Sequence, residues 1–411
     1  MLHAGKTAAQ TQLEVDAAGW ALTSLTIKRG VREWMLSCVW QGFAGKVPSF
    51  HLMNVFLSRR QFLSQGATLI GLSGAARLAH AQGRAPGSFT PTAPETTTGA
   101  NQVSRGATPP VSAMEDAYDL DPQWPALTPE VYPEKCQISG VAVAADGSIL
   151  ALNHGENHVD PQTGFLKQII RKPTVLVLDA RTGRLKESWG AGLFMLPHQI
   201  SVDVSGNVWV VDSGLKRVFK FNAEGALLMQ LGAEGSGFTL PTDVAVLGDG
   251  SVVVADGTIN RRGFRFNENG KLIEPWGLRG KGAMQFHTPH SLCVDEESRV
   301  YLSDRENHWV QVLNSSGELL ATWEDVGRPA TVRYHSGSIF VLSNLPAARG
   351  IVRRFNKDGV LLDVFRTKPR GTQEDFEWPH GLAVSEGGAT VYVGFVLTAR
   401  RIHRYRLKAK L

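Results

Sequence analysis

Beyond about residue 135 the chain is built of short runs in which apolar and polar residues alternate, broken by tight turns containing glycine. Val202-Asp203-Val204-Ser205-Gly206-Asn207-Val208-Trp209-Val210-Val211-Asp212 sets the pattern: one alternating run, a turn, a second run and an aspartate. Residues 217–225 add a third run with its turn, and residues 227–232 a fourth. Period-two alternation split by Asp-Gly, Ser-Gly or Asn-Gly predicts antiparallel hairpins. The unit returns at 244–277, 292–323 and 331–365, with flanking copies at 141–189 and 382–407; the first flanking copy carries an insertion near 159–172. One four-stranded sheet cannot bury both of its faces, whereas six arranged radially can. The pattern therefore predicts an all-β fold, a six-bladed β-propeller over residues 135–411 with four antiparallel strands per blade. No stretch has a helical period long enough to compete.

Chemistry recurs with the repeat. Leu196-Pro197-His198, Thr288-Pro289-His290 and Trp378-Pro379-His380 each open a copy, and their histidines are 92 and 90 residues apart. The intervening copies have Pro241-Thr242 and Pro329-Ala330 instead, so a histidine stands in every second blade. Alternate blades of six lie about 120° apart, and the residue before the innermost strand sits at a mouth of the central channel. His198, His290 and His380 should therefore converge on the axis. Three imidazoles leave one position of a tetrahedral ion open, the pattern of a catalytic zinc site. Zn²⁺ is the expected ion; Fe²⁺ and other divalent transition metals also accept imidazole. Asp212, Asp256 and Asp304, at the ends of second strands, read as structural turn residues.

Charge and cysteines narrow the partners. The net charge of +5 lies in residues 1–81, with eight Lys/Arg against three Asp/Glu, while the rest holds 35 of each sign. The body thus lacks the basic footprint of a nucleic-acid binder. Cys38, Cys136 and Cys293 are too few for a disulfide framework or a cysteine zinc site. Ser58-Arg59-Arg60-Gln61-Phe62-Leu63, a weak apolar run at 66–76 and Ala79-His80-Ala81 follow the order of a twin-arginine export signal. Met53 is the expected start, residues 1–52 a non-native extension, 53–81 the signal, and 82–134 a Pro/Thr/Gly-rich linker whose last part packs on the domain. A periplasmic or secreted monomer, without stable membrane insertion, is expected.

The segments Leu196-Pro197-His198, Asp256-Gly257 with Asn260 and Arg262, Pro289-His290-Ser291-Leu292, Asp304-Arg305-Glu306-Asn307 and Trp378-Pro379-His380 resemble those of peptidyl-α-hydroxyglycine α-amidating lyases, which are NHL-repeat propellers. The resemblance covers the whole propeller. It implies a zinc held by His198, His290 and His380, a substrate-binding Arg305, and release of glyoxylate from a peptidyl hydroxyglycine at the channel mouth. Three positions depart from the family: Thr258 stands where it has a catalytic tyrosine, His154 where it has a first-blade arginine, and Gly381 where an Asp serves a structural Ca²⁺. A threonine hydroxyl cannot supply a phenolate. The expected site therefore combines a metal triad, Arg305 as anion clamp and His154 as proton carrier or extra ligand, acting on a small carboxylate-bearing or peptide substrate. The competing reading is a non-catalytic propeller that binds a peptide, glycan or protein.

Overall fold

The computed structural model describes residues 20–29, 33–42, 49–58, 111–125, 137–154, 159–160, 164–165, 168–232, 237–345, 349–367, 377–397 and 402–409. They fall in two units, divided between Asn101 and Gln102. The first contains an antiparallel three-stranded sheet, Trp20–Arg29, Glu33–Gly42 and Ser49–Ser58. The Arg59-Arg60 pair, the small-residue cleavage site and Cys136 lie outside the described residues.

The second unit is a propeller of six four-stranded antiparallel sheets. Blade 1 runs Ile138–Val143, Ile149–Asn153, Val175–Leu178 and Leu185–Trp189. The innermost strands of the next four blades are Pro197–Val202, Asp243–Val246, Pro289–Val294 and Arg328–His335. Blade 6 takes Glu377–Ser385, Thr390–Leu397 and Ile402–Leu407 from the end of the chain. Its outermost strand is Tyr118–Leu120, paired to Ile402–Leu407. This strand lies within the stretch 82–134 that the composition marks as linker. Three residues are too few to show alternation, yet they close the ring by joining its beginning to its last blade. Tyr118 is buried against Phe365, which packs in turn on Tyr405, and Trp124 is buried against Tyr392.

Six apolar clusters fill the six interfaces between neighbouring blades. This is why both faces of each blade read as apolar at alternating positions. Outer-strand tryptophans set the spacing: Trp276 and Trp323 lie so close over Gly317 and Gly359 that an added Cβ would approach each indole to 2.3 and 2.6 Å. Both glycines have positive φ, 88° and 80°, at the turn of the following blade.

The recurring aspartates hold the loops that lead into the innermost strands. Asp212 is fully buried and accepts hydrogen bonds from the backbone N–H of Met195 (2.7 Å), Leu196 (3.1 Å) and Leu215 (2.8 Å). Asp256 does the same for Thr239 and Leu240, and Asp304 for His287 and Thr288. Burial raises the pKa of Asp212 and Asp304, and the backbone bonds oppose that rise. These carboxylates are structural, as their recurrence predicts. Replacing Asp304 by Ala strands two buried N–H groups and should cost about 2–4 kcal/mol. Urea unfolding of Asp304→Ala beside the parent protein measures it; an unchanged midpoint would contradict the assignment.

Candidate metal centre

Each Pro-His step lies at the start of an innermost strand, as its first two residues in blades 2 and 4 and its third and fourth in blade 6, and each carries a bulge. Strand register shifts between Pro197 and Gln199, between Pro289 and Ser291, and between Pro379 and Gly381. The unpaired residue in every case is the histidine, which turns out of the ladder and toward the axis. Ser139 and Ala330 occupy the same bulge in blades 1 and 5. The three histidines therefore alternate around the channel with Ser139, Thr242 and Ala330.

Those intervening residues orient the rings. His198 Nδ1 donates to the carbonyl of Thr242 (2.7 Å), His290 Nδ1 to Ala330 (2.6 Å) and His380 Nδ1 to Ser139 (2.7 Å). A carbonyl only accepts, so Nδ1 carries the proton in each ring and the Nε2 lone pair is free. Ring centroids lie 4.7–5.1 Å apart. One ligating atom from each histidine lies within 4.8 Å of the others. Burial holds all three imidazoles neutral: those of His198 and His380 are brought down from 6.5 to about 3, and that of His290 well below its ordinary value. Neutral, carbonyl-oriented imidazoles, two of them buried and that of His198 half-buried, are the donor set that zinc or another divalent transition metal requires. The three histidines could hold such an ion.

The triad lines a cavity of about 590 Å³, shared with His154, Arg305, Arg328, Thr258, Trp378 and apolar side chains including Leu196, Leu240 and Val396. His154 and Arg305 each follow the second strand of their blade, Ile149–Asn153 and Val300–Asp304. Those are blades 1 and 4, so the two residues approach the cavity from opposite sides.

His154 is buried, and its Nε2 donates to the carbonyl of Pro197, beside the first triad histidine. Its Nδ1 lone pair is then bare, and that buried atom has no partner among the described residues. Burial brings the pKa of His154 down to about 4.

Arg305 binds Glu306 through Nε (3.0 Å), which leaves its terminal fork for a ligand. Burial lowers its pKa, and Glu306 opposes that fall. Arg328 also grips Glu306, at 2.5 and 3.3 Å, and lies over the Trp378 ring with its central carbon 5.7 Å from the centroid. The cluster of two guanidiniums and one carboxylate leaves the mouth positive. Sequence reasoning missed Arg328, which begins a strand with no recurring partner in other blades. Thr258 is exposed at the rim of the same cavity.

Residues 286–313 match the NHL repeat family. Over 322 residues the chain is 33% identical to peptidylglycine alpha-amidating monooxygenase of Rattus norvegicus, an alignment covering 68% of this chain and 32% of that protein. Over 336 residues it is 30% identical to peptidyl-alpha-hydroxyglycine alpha-amidating lyase 1 of Drosophila melanogaster, covering 72% of this chain and 61% of that one. Lyase 2 of the same organism is 29% identical over 293 residues, covering 65% and 70%. The match thus spans about a third of the length of the rat protein. With its six blades and its ring of three histidines, the chain is a six-bladed β-propeller that matches the NHL repeat family over residues 286–313 and resembles the peptidyl-α-hydroxyglycine α-amidating lyases.

Proposed function

We propose that the protein is an exported, metal-dependent lyase that cleaves a small carboxylate-bearing carbinolamide of the peptidyl-α-hydroxyglycine type into an amide and glyoxylate. The observation that carries this reading is the convergence of three neutral, carbonyl-oriented imidazoles in one cavity with a guanidinium fork. His198, His290 and His380 would hold a divalent ion, zinc by preference, supplying Lewis-acid polarisation of a substrate oxygen.

Arg305 binds the substrate carboxylate through its terminal nitrogens, with Glu306 and Arg328 holding its plane in place. Leu196, Leu240, Val396 and Trp378 keep the reacting bond away from water. His154, across the cavity, takes the role that a tyrosine has in the family. Its bare Nδ1 accepts the proton of the substrate hydroxyl as the carbon–nitrogen bond breaks. The carbinol carbon becomes the aldehyde of glyoxylate, and the bond's electron pair leaves on the amide nitrogen. A base with so low a pKa gives that proton up readily, and it passes to the departing nitrogen. The order of arginine pair, apolar run and small-residue site in the leader supports export of the folded protein.

Incubation with a synthetic peptidyl-α-hydroxyglycine and assay of glyoxylate is the test. Turnover should vanish in His198→Ala while circular dichroism stays that of the parent; unchanged turnover would sink the proposal. His154→Gln should lower kcat by about 100-fold or more with little change in KM. Arg305→Ala should act chiefly on KM, and Arg305→Lys should not restore it, because an ammonium cannot reproduce the fork.

A dependence on pH follows from burial. The folded state holds His154, His198 and His380 near 4, 3 and 3, against 6.5 for exposed histidine. The unfolded chain therefore binds more protons below pH 6.5, and their contribution to stability, complete above that value, is lost as pH falls toward 4 and 3. The melting temperature of chelated, metal-free protein should decline from pH 6.5 downward. A flat profile between pH 7 and 4.5 would contradict these assignments.

A further inference from the structure

One residue below the histidines lies a second ring: Gly140, Gln199, Asp243, Ser291, Thr331 and Gly381, the positions that follow Ser139, His198, Thr242, His290, Ala330 and His380. Its two glycines belong to adjacent blades 1 and 6, and an added Cβ on Gly381 would meet the Gly140 backbone at 3.0 Å. The other four are polar and buried without exposure. Arg333, two residues beyond Thr331 on the same face of its strand, reaches into the middle of this ring.

Its contacts are specific. Arg333 Nη1 donates to Asp243 Oδ2 (2.8 Å) and to Ser291 Oγ (2.9 Å), and Nη2 to Gln199 Oε1 (3.1 Å). Gln199 Nε2 passes the connection to Thr331 Oγ1 (3.2 Å), and that hydroxyl donates to the backbone carbonyl of His380. Ser291 Oγ also donates to Asp243 (2.6 Å). Gln199 and Ser291 are the residues next to His198 and His290 in the chain. One guanidinium is thus tied through one or two side chains to the backbone at or next to all three triad histidines, and it spans blades 2 to 6.

We propose that Arg333 is the positioning residue of the metal centre, an internal cation that fixes the separation of the three ligand-bearing strands. The inference rests on the reading of the triad as a metal site. The bulges leave each histidine outside its strand ladder, so the ladders alone do not set how far apart the imidazoles stand. Arg333 supplies that constraint, with the fully buried Asp243 balancing its charge.

The test titrates cobalt(II) into the full chain after chelation, following visible absorption, for the parent and for Arg333→Met/Asp243→Asn. The double change removes the guanidinium without stranding a buried carboxylate. Cobalt affinity should fall ten- to a hundredfold, as for other groups that orient ligands from behind, with altered band intensities and a metal-free melting temperature within a few degrees of the parent. Arg333→Lys, which can keep Asp243 but not Gln199, should fall between the two. Affinity within twofold of the parent and an unchanged spectrum would overturn the proposal, as would a large loss of metal-free stability with affinity intact. Should the double variant not fold, Gln199→Leu is read by the same criteria. A parent protein that takes no cobalt defeats the metal centre itself. The role of Arg333 is then decided by ¹⁵N NMR of the imidazoles. Loss of the single Nδ1–H tautomer in the double variant would support it, and its retention would refute it.

Discussion

Each of the three channel histidines is held by a hydrogen bond that crosses from one blade to the next. Nδ1 of one blade's histidine meets the backbone carbonyl of the following blade's bulge residue, at 2.6–2.7 Å in all three cases. The bond fixes the tautomer, the ring plane and the direction of the free lone pair at once. It can form only because six blades close into a ring, bringing Ser139 of the first against His380 of the last. The short strand Tyr118–Leu120 that completes blade 6 is therefore remote from the site in space yet coupled to its geometry.

Below and above this ring the structure uses charge in different ways. Asp212, Asp256 and Asp304 spend their carboxylates on backbone N–H groups of the loops preceding the innermost strands, and so determine where Pro197-His198, Pro241-Thr242 and Pro289-His290 begin. Arg333 and Asp243 form a buried ion pair with further hydrogen bonds on both partners, the circumstance in which such a pair can hold a unique arrangement. At the mouth, Arg305 and Arg328 outnumber Glu306, and that end of the cavity is left positive.

The propeller and its triad were legible because both repeat. Two-residue alternation with glycine turns reports hairpins, and Pro-His at near-equal spacing reports equivalent blade positions. What escaped the sequence lacks such repetition. Tyr118–Leu120 is too short to show a period. Arg328 opens a strand without a counterpart in other blades. Arg333 reads by alternation as an outward-facing polar residue. In an innermost strand, however, that side faces the channel rather than water. His154 stood at the right position, but its burial and its bond to Pro197 depend on the blade beside it. The position where the resemblance places a tyrosine is filled by an exposed threonine, and a buried imidazole nitrogen of His154 lines the same cavity without a partner among the described residues.

The central claim is that the ring of histidines binds an ion. The direct measurement is metal content by mass spectrometry on purified protein, beside a His198→Ala/His290→Ala variant shown to be folded. The account predicts about one zinc or other divalent transition metal per chain in the parent, and loss of that ion in the variant. A folded parent protein without stoichiometric metal, or a variant that keeps it, would contradict the account.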